Sequence, residues 1–428
     1  MTLTFCVTLA LCSFYSAVHV ENEKSREFYC LPMYGALGAG TLTKGLIGVA
    51  IPGMVFFFYL LCTHRWSSLR KLHPLPGALL FFVIVVPWYF SVNMKYPGYL
   101  RFYFWDDHVA RYLTDQFDRA EPWYHFLGVV AGGFFPWVLF LPQMVKDSWR
   151  KFDDKNVFLI LSVVLPLLFF SFSKSKSLQY ILPIYPALAI LSGKTVASFV
   201  KRSDRKKRGL LYLAWGFSAG FVFYVLIGAL WPPLLPAEIR ATVSANLIWI
   251  GLSLALMVLI FGAYACANAR GHWSSPTASY LCTAAGMAGF FLLASQLMVT
   301  ASTSRSAKAL AQHAAPLITH DSQMAIYDTY LPGLIFYLRL DRPIWIVASP
   351  EKTTLMGSPY VSRHQPNPPS GYGKVLLDFA EFSEAWKKNT HPLLIFAKAK
   401  NRLRLESQLA EGTKRLTGVN EHILVTKP

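Results

Sequence analysis

Long apolar stretches recur through the first 300 residues, and they constrain the fold more than any other feature of the sequence. A helix needs about 20 apolar residues to cross the hydrocarbon core of a bilayer. Only 15% of the residues are charged, whereas soluble domains average about 25%. Lipid offers no hydrogen-bond partner to backbone polar groups, so these groups must pair within the segment. Each stretch therefore predicts a membrane-spanning helix. The predicted spans are 3–18, 29–43, 46–63, 76–94, 125–145, 157–172, 179–197, 209–231, 245–267 and 278–299.

The composition changes near residue 300, which predicts two domains. We expect a polytopic α-helical transmembrane domain of about ten spans over 1–300, with a long outward loop at 95–124. The loop carries apolar residues that suit an amphipathic helix on the membrane surface. A soluble α/β domain is expected over 301–428.

Strands and helices alternate in this second domain, which is typical of an open α/β sheet. The pattern predicts strands at 324–327, 344–347, 375–377, 393–396 and 422–426, and helices at 304–315, 333–339, 380–389 and 400–410. No GxGxxG or P-loop motif occurs in this domain, so a nucleotide site is not indicated. A docking or lid domain without chemistry of its own is the favoured interpretation.

The net charge of +18 does not indicate nucleic-acid binding, because the excess Lys and Arg lie in short loops beside the spans. Cytoplasmic loops carry such an excess, and one alternating set of loops holds about twice as many basic residues as the other. The richer set is therefore expected in the cytoplasm. The poorer set, with the loop at 95–124 and the soluble domain, is expected outside.

Apolar sequence begins at Leu3, without a basic segment before it or a small-residue cleavage site after it, so the first span is a poor signal peptide. The charge distribution also places Met1 on the outer side. We therefore expect that further elements normally precede this span.

Three outward groups of residues have the chemistry of a phosphate site. Ionisable residues at or near membrane depth are costly and count as functional candidates. Lys and Arg suit phosphate, and neighbouring aromatic rings suit a sugar or an isoprenoid chain. The candidates are Lys44 in LTKG; Asp106, Asp107, His108, Arg111 and Tyr112 in the long loop; and Lys174, Lys176 and Tyr180 in SKSKSLQY.

Simpler interpretations exist for several of these residues. Lys44 could extend its ammonium to the interface, and Lys174 and Lys176 could be stop-transfer charges. Arg111 could pair with Asp107 one helical turn away, and His108 could be an ordinary loop histidine. Asp106 and Asp107 could instead ligate a divalent metal ion, and no other cofactor is indicated.

Five motifs in a fixed order carry a resemblance to a known family. They are LTKGLIGVAIPG, PWYFSV, FWDDHVARYLT, EPWYHFLGVVAGGFFPWVLFLPQ and FFSFSKSKSLQYILPIYPALAIL. Together they resemble the membrane glycosyltransferases that use polyprenyl-phosphate sugars, which include the lipid A aminoarabinose transferases and the protein O-mannosyltransferases. The resemblance is densest over 41–193 and continues more weakly, in the same order, to the end of the chain.

The resemblance implies a GT-C-like transmembrane domain and a small periplasmic domain in the bacterial inner membrane. The implied reaction moves a sugar from undecaprenyl phosphate to lipid A or a protein acceptor at the outer face. By matching position, Arg111 would bind the donor phosphate, and Lys174, Lys176 and Tyr180 would line the same pocket with His108 and Tyr112. Lys44 matches the family's TKG lysine. Asp106 stands where the family often has a histidine proposed as a metal ligand.

The resemblance does not supply a catalytic residue. The family's catalytic carboxylate lies in a first outward loop, and no Asp or Glu of this chain matches that position. We therefore expect residues 1–428 alone to bind donor poorly and to transfer no sugar, and detectable transfer in vesicles would refute this. A lipid-linked-sugar transporter and a non-catalytic partner subunit are the alternatives.

Overall fold

A computed structural model describes ten segments of the chain and scattered single residues and short groups between 220 and 302. The ten segments are 1–113, 121–134, 137–150, 153–202, 306–329, 331–349, 375–388, 392–409, 415–419 and 422–427. The chain forms two compact units, one containing residues 1–202 and the other containing 306–427, and each is described by itself. The predicted spans at 209–231, 245–267 and 278–299 and the predicted boundary at 300 fall almost wholly outside the described residues.

The first unit is helical. Its helices are α1 Thr2–His19, α2 Glu23–Lys44, α3 Ile47–Cys62, α4 Ser68–Lys71, α5 Pro74–Lys95, α6 Tyr99–Arg101, α7 Arg111–Leu113, α8 His125–Gly133, α9 Leu141–Arg150, α10 Asp154–Phe172 and α11 Tyr185–Arg202. A π-helix, Phe102–Ala110, joins α6 to α7, and 3₁₀ turns at Trp137–Phe140 and Leu178–Ile184 precede α9 and α11. Within the described residues, α1, α5 and α10 are long and apolar enough to cross a membrane, and α3 is a shorter apolar helix.

The predicted span at 125–145 is wrong as a single helix. Helix α8 ends at Gly133, and the chain continues through the 3₁₀ turn into α9. Gly132 and Gly133 explain why α8 ends there, because glycine weakens a helix interior. The helical segments at 99–113, in contrast, agree with the amphipathic helix predicted in the long loop.

Aromatic packing and close backbone contact hold α1, α2, α3 and α10 together. The ring of Phe14 stacks on Phe56 with centroids 3.9 Å apart, and Tyr59 meets Phe158 edge to face at 5.2 Å. Helices α2 and α3 approach so closely that a Cβ on Gly48 would lie 2.2 Å from the backbone of Gly40. This close crossing fixes the end of α2, where Lys44 lies.

The second unit contains β1 Gln323–Tyr327, β2 Trp345–Val347, β3 Leu376–Leu377, β4 Leu393–Lys398, β5 Arg415–Val419 and β6 His422–Lys427. Its helices are α12 Ala307–Ala314, α13 Pro332–Leu338, α14 Phe379–Lys388 and α15 Arg402–Gln408. The strand order is β3-β2-β1-β4-β6-β5. The first four strands in this order are parallel, and β6 and β5 run antiparallel to their neighbours.

Two apolar cores cover the two faces of this sheet, one under α12 and α13 and the other under α14 and α15. Strand residues alternate between them, so Ile326 packs in the first core while Tyr327 packs in the second. The prediction of an open α/β sheet is confirmed. The sequence did not reveal β5, because its short RLTGV run contains a glycine and lacks a clear apolar alternation.

Candidate functional site

A cavity of about 460 Å³ lies where α2 ends and α3 begins. The π-helix and α7 form a second wall, and the end of α10 with the segment 173–180 forms a third. Most of the lining is apolar or aromatic, with Phe169 and Phe170 on one side and Ile47 on another. Such a cavity suits a ligand that is largely apolar and carries a few polar groups.

Lys44 supplies the cationic group of this cavity and is the last residue of α2. Its Nζ lies 4.4 Å from the centroid of the Tyr180 ring, within the range of a cation–π interaction. Tyr180 is held by the 3₁₀ turn Leu178–Ile184, and its ring also packs against Phe170 at 5.2 Å. The structure therefore brings together two residues that are 136 positions apart in the sequence.

Gly45 allows the chain to turn sharply after Lys44. Its φ of +67° and ψ of −149° lie in a region that is nearly restricted to glycine. A Cβ at this position would lie 2.2 Å from Nε2 of His108, so the imidazole occupies the space that glycine leaves open. The glycine of the TKG motif is thus needed both for the backbone turn and for contact with the long loop.

His108 is fixed by backbone carbonyl groups. Its Nδ1 lies 2.6 Å from the carbonyl oxygen of Tyr103, five residues earlier in the π-helix, and its Nε2 lies 3.4 Å from the carbonyl oxygen of Lys44. A π-helix pairs residues five positions apart, which brings His108 over the carbonyl of Tyr103. His108 therefore connects the long loop to the end of α2.

Two tyrosines of the long loop line the cavity as neutral phenols. Burial raises the pKa of Tyr103, and a hydrogen bond with Tyr89 and the charge of Asp107 raise it further. Burial also raises the pKa of Tyr112, whose hydroxyl donates to the carbonyl of Phe169 at 2.8 Å. Both side chains can therefore act as hydrogen-bonding groups at neutral pH.

The segment Ser173–Lys176 is joined to the long loop by backbone and side-chain contacts. The amide of Lys174 donates to the carbonyl of Tyr112 at 3.0 Å. The ammonium of Lys176 is buried and donates to the carbonyls of Ser173 at 2.6 Å and Glu121 at 2.8 Å. Lys176 therefore connects the two sides of the site through backbone carbonyls.

The structure gathers five of the nine predicted site residues around the cavity: Lys44, Asp107, His108, Tyr112 and Tyr180. Lys174 is exposed, Lys176 is turned toward the carbonyls, and neither is among the residues lining this cavity. Asp106 is half-buried and is also not among them. The side chain of Arg111 lies outside the described part of the structure. The donor-binding roles of these residues stay predictions.

The described residues do not provide a good fit for the predicted metal ion. No three His, Cys, Asp or Glu side chains among them are close enough to share one. Nδ1 of His108 lies 2.6 Å from the carbonyl oxygen of Tyr103, which suits an N–H donor at that nitrogen rather than a metal-ligating lone pair. No step of the mechanism is therefore assigned to a metal, and ligation by Asp106 and Asp107 stays a prediction.

Sequence reasoning missed several residues of the site. Tyr103 was not selected, because its contact with His108 depends on a π-helix that sequence spacing does not reveal. Phe169 and Phe170 were interpreted as part of a span. Gly45 carried a usable signal, since a glycine directly after the last basic residue of a helix often ends that helix.

The position of Lys176 leads to a prediction about stability. Lys176→Met should leave the carbonyls of Ser173 and Glu121, the first of them buried, without the ammonium and lower the free energy of unfolding by about 1–3 kcal/mol. Lys174→Met, two residues away at an exposed position, should leave it nearly unchanged. Thermal unfolding of the purified variants measures the difference, and equal melting temperatures would show that Lys176 is not a structural connection.

Comparison with known proteins supports the same class of fold. Residues 1–90 match the model of the dolichyl-phosphate-mannose-protein mannosyltransferase family. The crystal structure of ArnT from Cupriavidus metallidurans bound to undecaprenyl phosphate superposes with a TM-score of 0.77 and 23% sequence identity. That match covers 99% of this chain and 73% of ArnT.

Two curated relatives are also named as transferases of this type. The undecaprenyl phosphate-α-4-amino-4-deoxy-L-arabinose arabinosyl transferase 1 of Pseudomonas fluorescens is 34% identical over 194 residues, which is 45% of this chain and 35% of the relative. The corresponding transferase of Edwardsiella ictaluri is 29% identical over 321 residues, which is 73% of this chain and 56% of the relative. The chain thus spans between about a third and just over half of the length of these two relatives.

The apolar helices, the small mixed sheet and the superposition define a multi-pass membrane protein with the GT-C glycosyltransferase fold. Within this class, the resemblance seen in the sequence motifs is confirmed, and it is to the aminoarabinose transferase type.

Proposed function

We propose that the chain is part of a glycosyltransferase that moves an aminoarabinose-like sugar from undecaprenyl phosphate to lipid A or a related acceptor. The observation that carries this proposal is the ammonium of Lys44, held over the ring of Tyr180 at an otherwise mostly apolar cavity. A polyprenyl phosphate is complementary to this arrangement, because it combines one anionic group with a long apolar chain.

In the proposed complex, Lys44 neutralises charge on the donor phosphate. A hydrogen bond to a charged group contributes about 1.5–3 kcal/mol, and a mostly apolar surrounding strengthens it. The phenols of Tyr103 and Tyr112 line the same cavity in their neutral form and add no negative charge beside the phosphate. Phe169, Phe170 and the other apolar side chains of the cavity accept the first isoprene units of the chain.

The names of the relatives support the choice of donor and sugar. The ArnT crystal structure contains undecaprenyl phosphate, and the curated relatives are named as aminoarabinose transferases of the same lipid. We infer lipid A or a protein as the acceptor, with lipid A favoured by the type of relative that the chain matches. The excess of Lys and Arg in alternate loops supports an inner-membrane orientation with the cavity and the soluble unit on the periplasmic side.

Phosphate-selective lipid binding tests the proposal without depending on turnover. Purified protein should bind undecaprenyl phosphate at least about tenfold more tightly than undecaprenol, the same chain without phosphate, because one charge-assisted contact is worth that ratio. A titration in detergent with each lipid measures the two affinities. Equal affinities would contradict the proposed donor site, whatever the absolute strength of binding.

A further inference from the structure

A second cavity, of about 230 Å³, lies between the amino-terminal parts of α2 and α5. The lining side chains recur at helical spacing on both sides, so one face of each helix forms a wall. One wall includes Glu27, Cys30 and Tyr34, and the opposite wall includes His73, Gly77 and Leu80.

This cavity is distinct from the candidate donor site. Cys30 and Lys44 are 14 residues apart on α2, which corresponds to about 21 Å along a helix. Lys44 lines the first cavity and Cys30 lines the second, so the two cavities lie toward opposite ends of α2. The two cavities are therefore separated by most of the length of α2.

The floor of the second cavity is rigid. Tyr34 packs so closely on α5 that a Cβ on Gly77 would lie 2.0 Å from its ring, and its hydroxyl donates to the carbonyl of Leu72 at 3.1 Å. These contacts fix the distance between the two helices. The crossing of α2 and α5 therefore holds the cavity beside these contacts in a fixed shape.

His73 presents a polar atom that lacks a partner in this cavity. It adopts a left-handed backbone conformation, with φ of +51°, directly before α5. Its Nε2 is buried, and no hydrogen-bond partner for this atom exists among the described residues. A buried polar atom without a partner costs about 1–3 kcal/mol, so an oxygen atom of a ligand would stabilise this arrangement.

Charged residues of the lining and of the chain just before His73 define the rest of the ligand. Glu27 is exposed and contributes a carboxylate to the lining, while Arg70 and Lys71 are exposed on α4, just before His73. Leu31 and Leu75 are 64% and 83% exposed, which places apolar surface beside the polar groups. A carboxylate in the lining, and two cations two and three residues before His73 in the chain, match a headgroup that carries both an ammonium and a phosphate.

We propose that this cavity binds a phospholipid whose headgroup carries a primary ammonium, the chemistry of phosphatidylethanolamine. Glu27 pairs with the ammonium, Arg70 and Lys71 contact the phosphate, and Nε2 of His73 donates to an ester carbonyl. Leu31 and Leu80 contact the acyl chain. The proposal does not depend on the transfer reaction, because the two cavities use different residues.

The experiment uses Cys30 as a reporter inside the cavity. A full-length variant that keeps Cys30 and carries alanine at the other five cysteines is placed in vesicles of phosphatidylcholine. Ethanolamine or glycerol phospholipid is then added, and the rate of alkylation by N-ethylmaleimide is followed by mass spectrometry. The ethanolamine lipid should slow Cys30 labelling by about fivefold, as expected if the cavity is filled four-fifths of the time.

Matched variants identify the headgroup contact. Glu27→Gln should abolish the protection by ethanolamine lipid, whereas Glu23→Gln, one turn earlier on α2, should keep it. A variant that retains only Cys62, an exposed residue outside the cavity lining, should label at the same rate in all vesicles. Equal protection by all three lipids, protection that survives Glu27→Gln, or absence of protection would each overturn the proposal.

Discussion

Replacing Lys44 by glutamine should weaken the binding of undecaprenyl phosphate by about 10- to 100-fold, the effect of losing a charge-assisted contact worth 1.5–3 kcal/mol. Glutamine keeps part of the side-chain length but removes the charge that lies over Tyr180. Binding of undecaprenol should change little, because the apolar lining is untouched. Parallel titrations with the two lipids measure both effects.

Lys155→Gln is the matched control for this substitution. Lys155 is an exposed lysine in the first turn of α10 and lies outside the linings of both cavities. The control should therefore retain the affinity for undecaprenyl phosphate. If Lys44→Gln also retained it, or lost affinity for both lipids equally, Lys44 would not be the phosphate contact.

Gly45→Ala should produce the second large effect, a loss of donor binding together with a lower melting temperature. The backbone conformation of Gly45 costs a non-glycine residue about 1–3 kcal/mol, and the new methyl group would overlap the imidazole of His108. Because the carbonyl of Tyr103 holds that imidazole, either the ring or the end of α2 must move. Both movements change the wall of the cavity, so we expect at least about tenfold weaker binding.

Gly53→Ala provides the comparison in the neighbouring helix. A Cβ on Gly53 would have no neighbour within 4 Å, so alanine fits there without displacement. Its melting temperature should equal or exceed that of the original protein, since alanine favours a helix over glycine. Should Gly45→Ala behave like Gly53→Ala in both measurements, the contact between Gly45 and His108 would have no role in forming the site.

The sequence predicted much of the site because charge is costly near a membrane. The sequence marks Lys44, His108, Tyr112 and Tyr180 as ionisable or aromatic residues beside outward loops, and the structure places all four at one cavity. The order of the five motifs along the chain was a second signal for the same residues. Charge and motif order are both visible in the sequence without knowing how the side chains are directed.

The parts that were missed depend on direction and backbone geometry. Lys174 and Lys176 have similar neighbours in the SKSK segment of the sequence. Lys174 is nevertheless exposed, whereas Lys176 turns inward and donates to two carbonyls. Residue spacing alone does not determine this difference. The contact between Tyr103 and His108 depends on the extra residue of a π-helix. In the second unit, the parallel strands were recognised by their apolar runs, whereas β5 has no such run.

Mapping the contact site of the lipid tests the central claim most directly. A photoreactive undecaprenyl phosphate, with its reactive group next to the phosphate, is irradiated with the purified protein, and the labelled peptides are identified by mass spectrometry. We predict labels at the end of α2, in the π-helix and near Tyr180, with competition by undecaprenyl phosphate but not by undecaprenol. Labelling spread over the lipid-facing helices, or unchanged by competition, would contradict a donor site at this cavity.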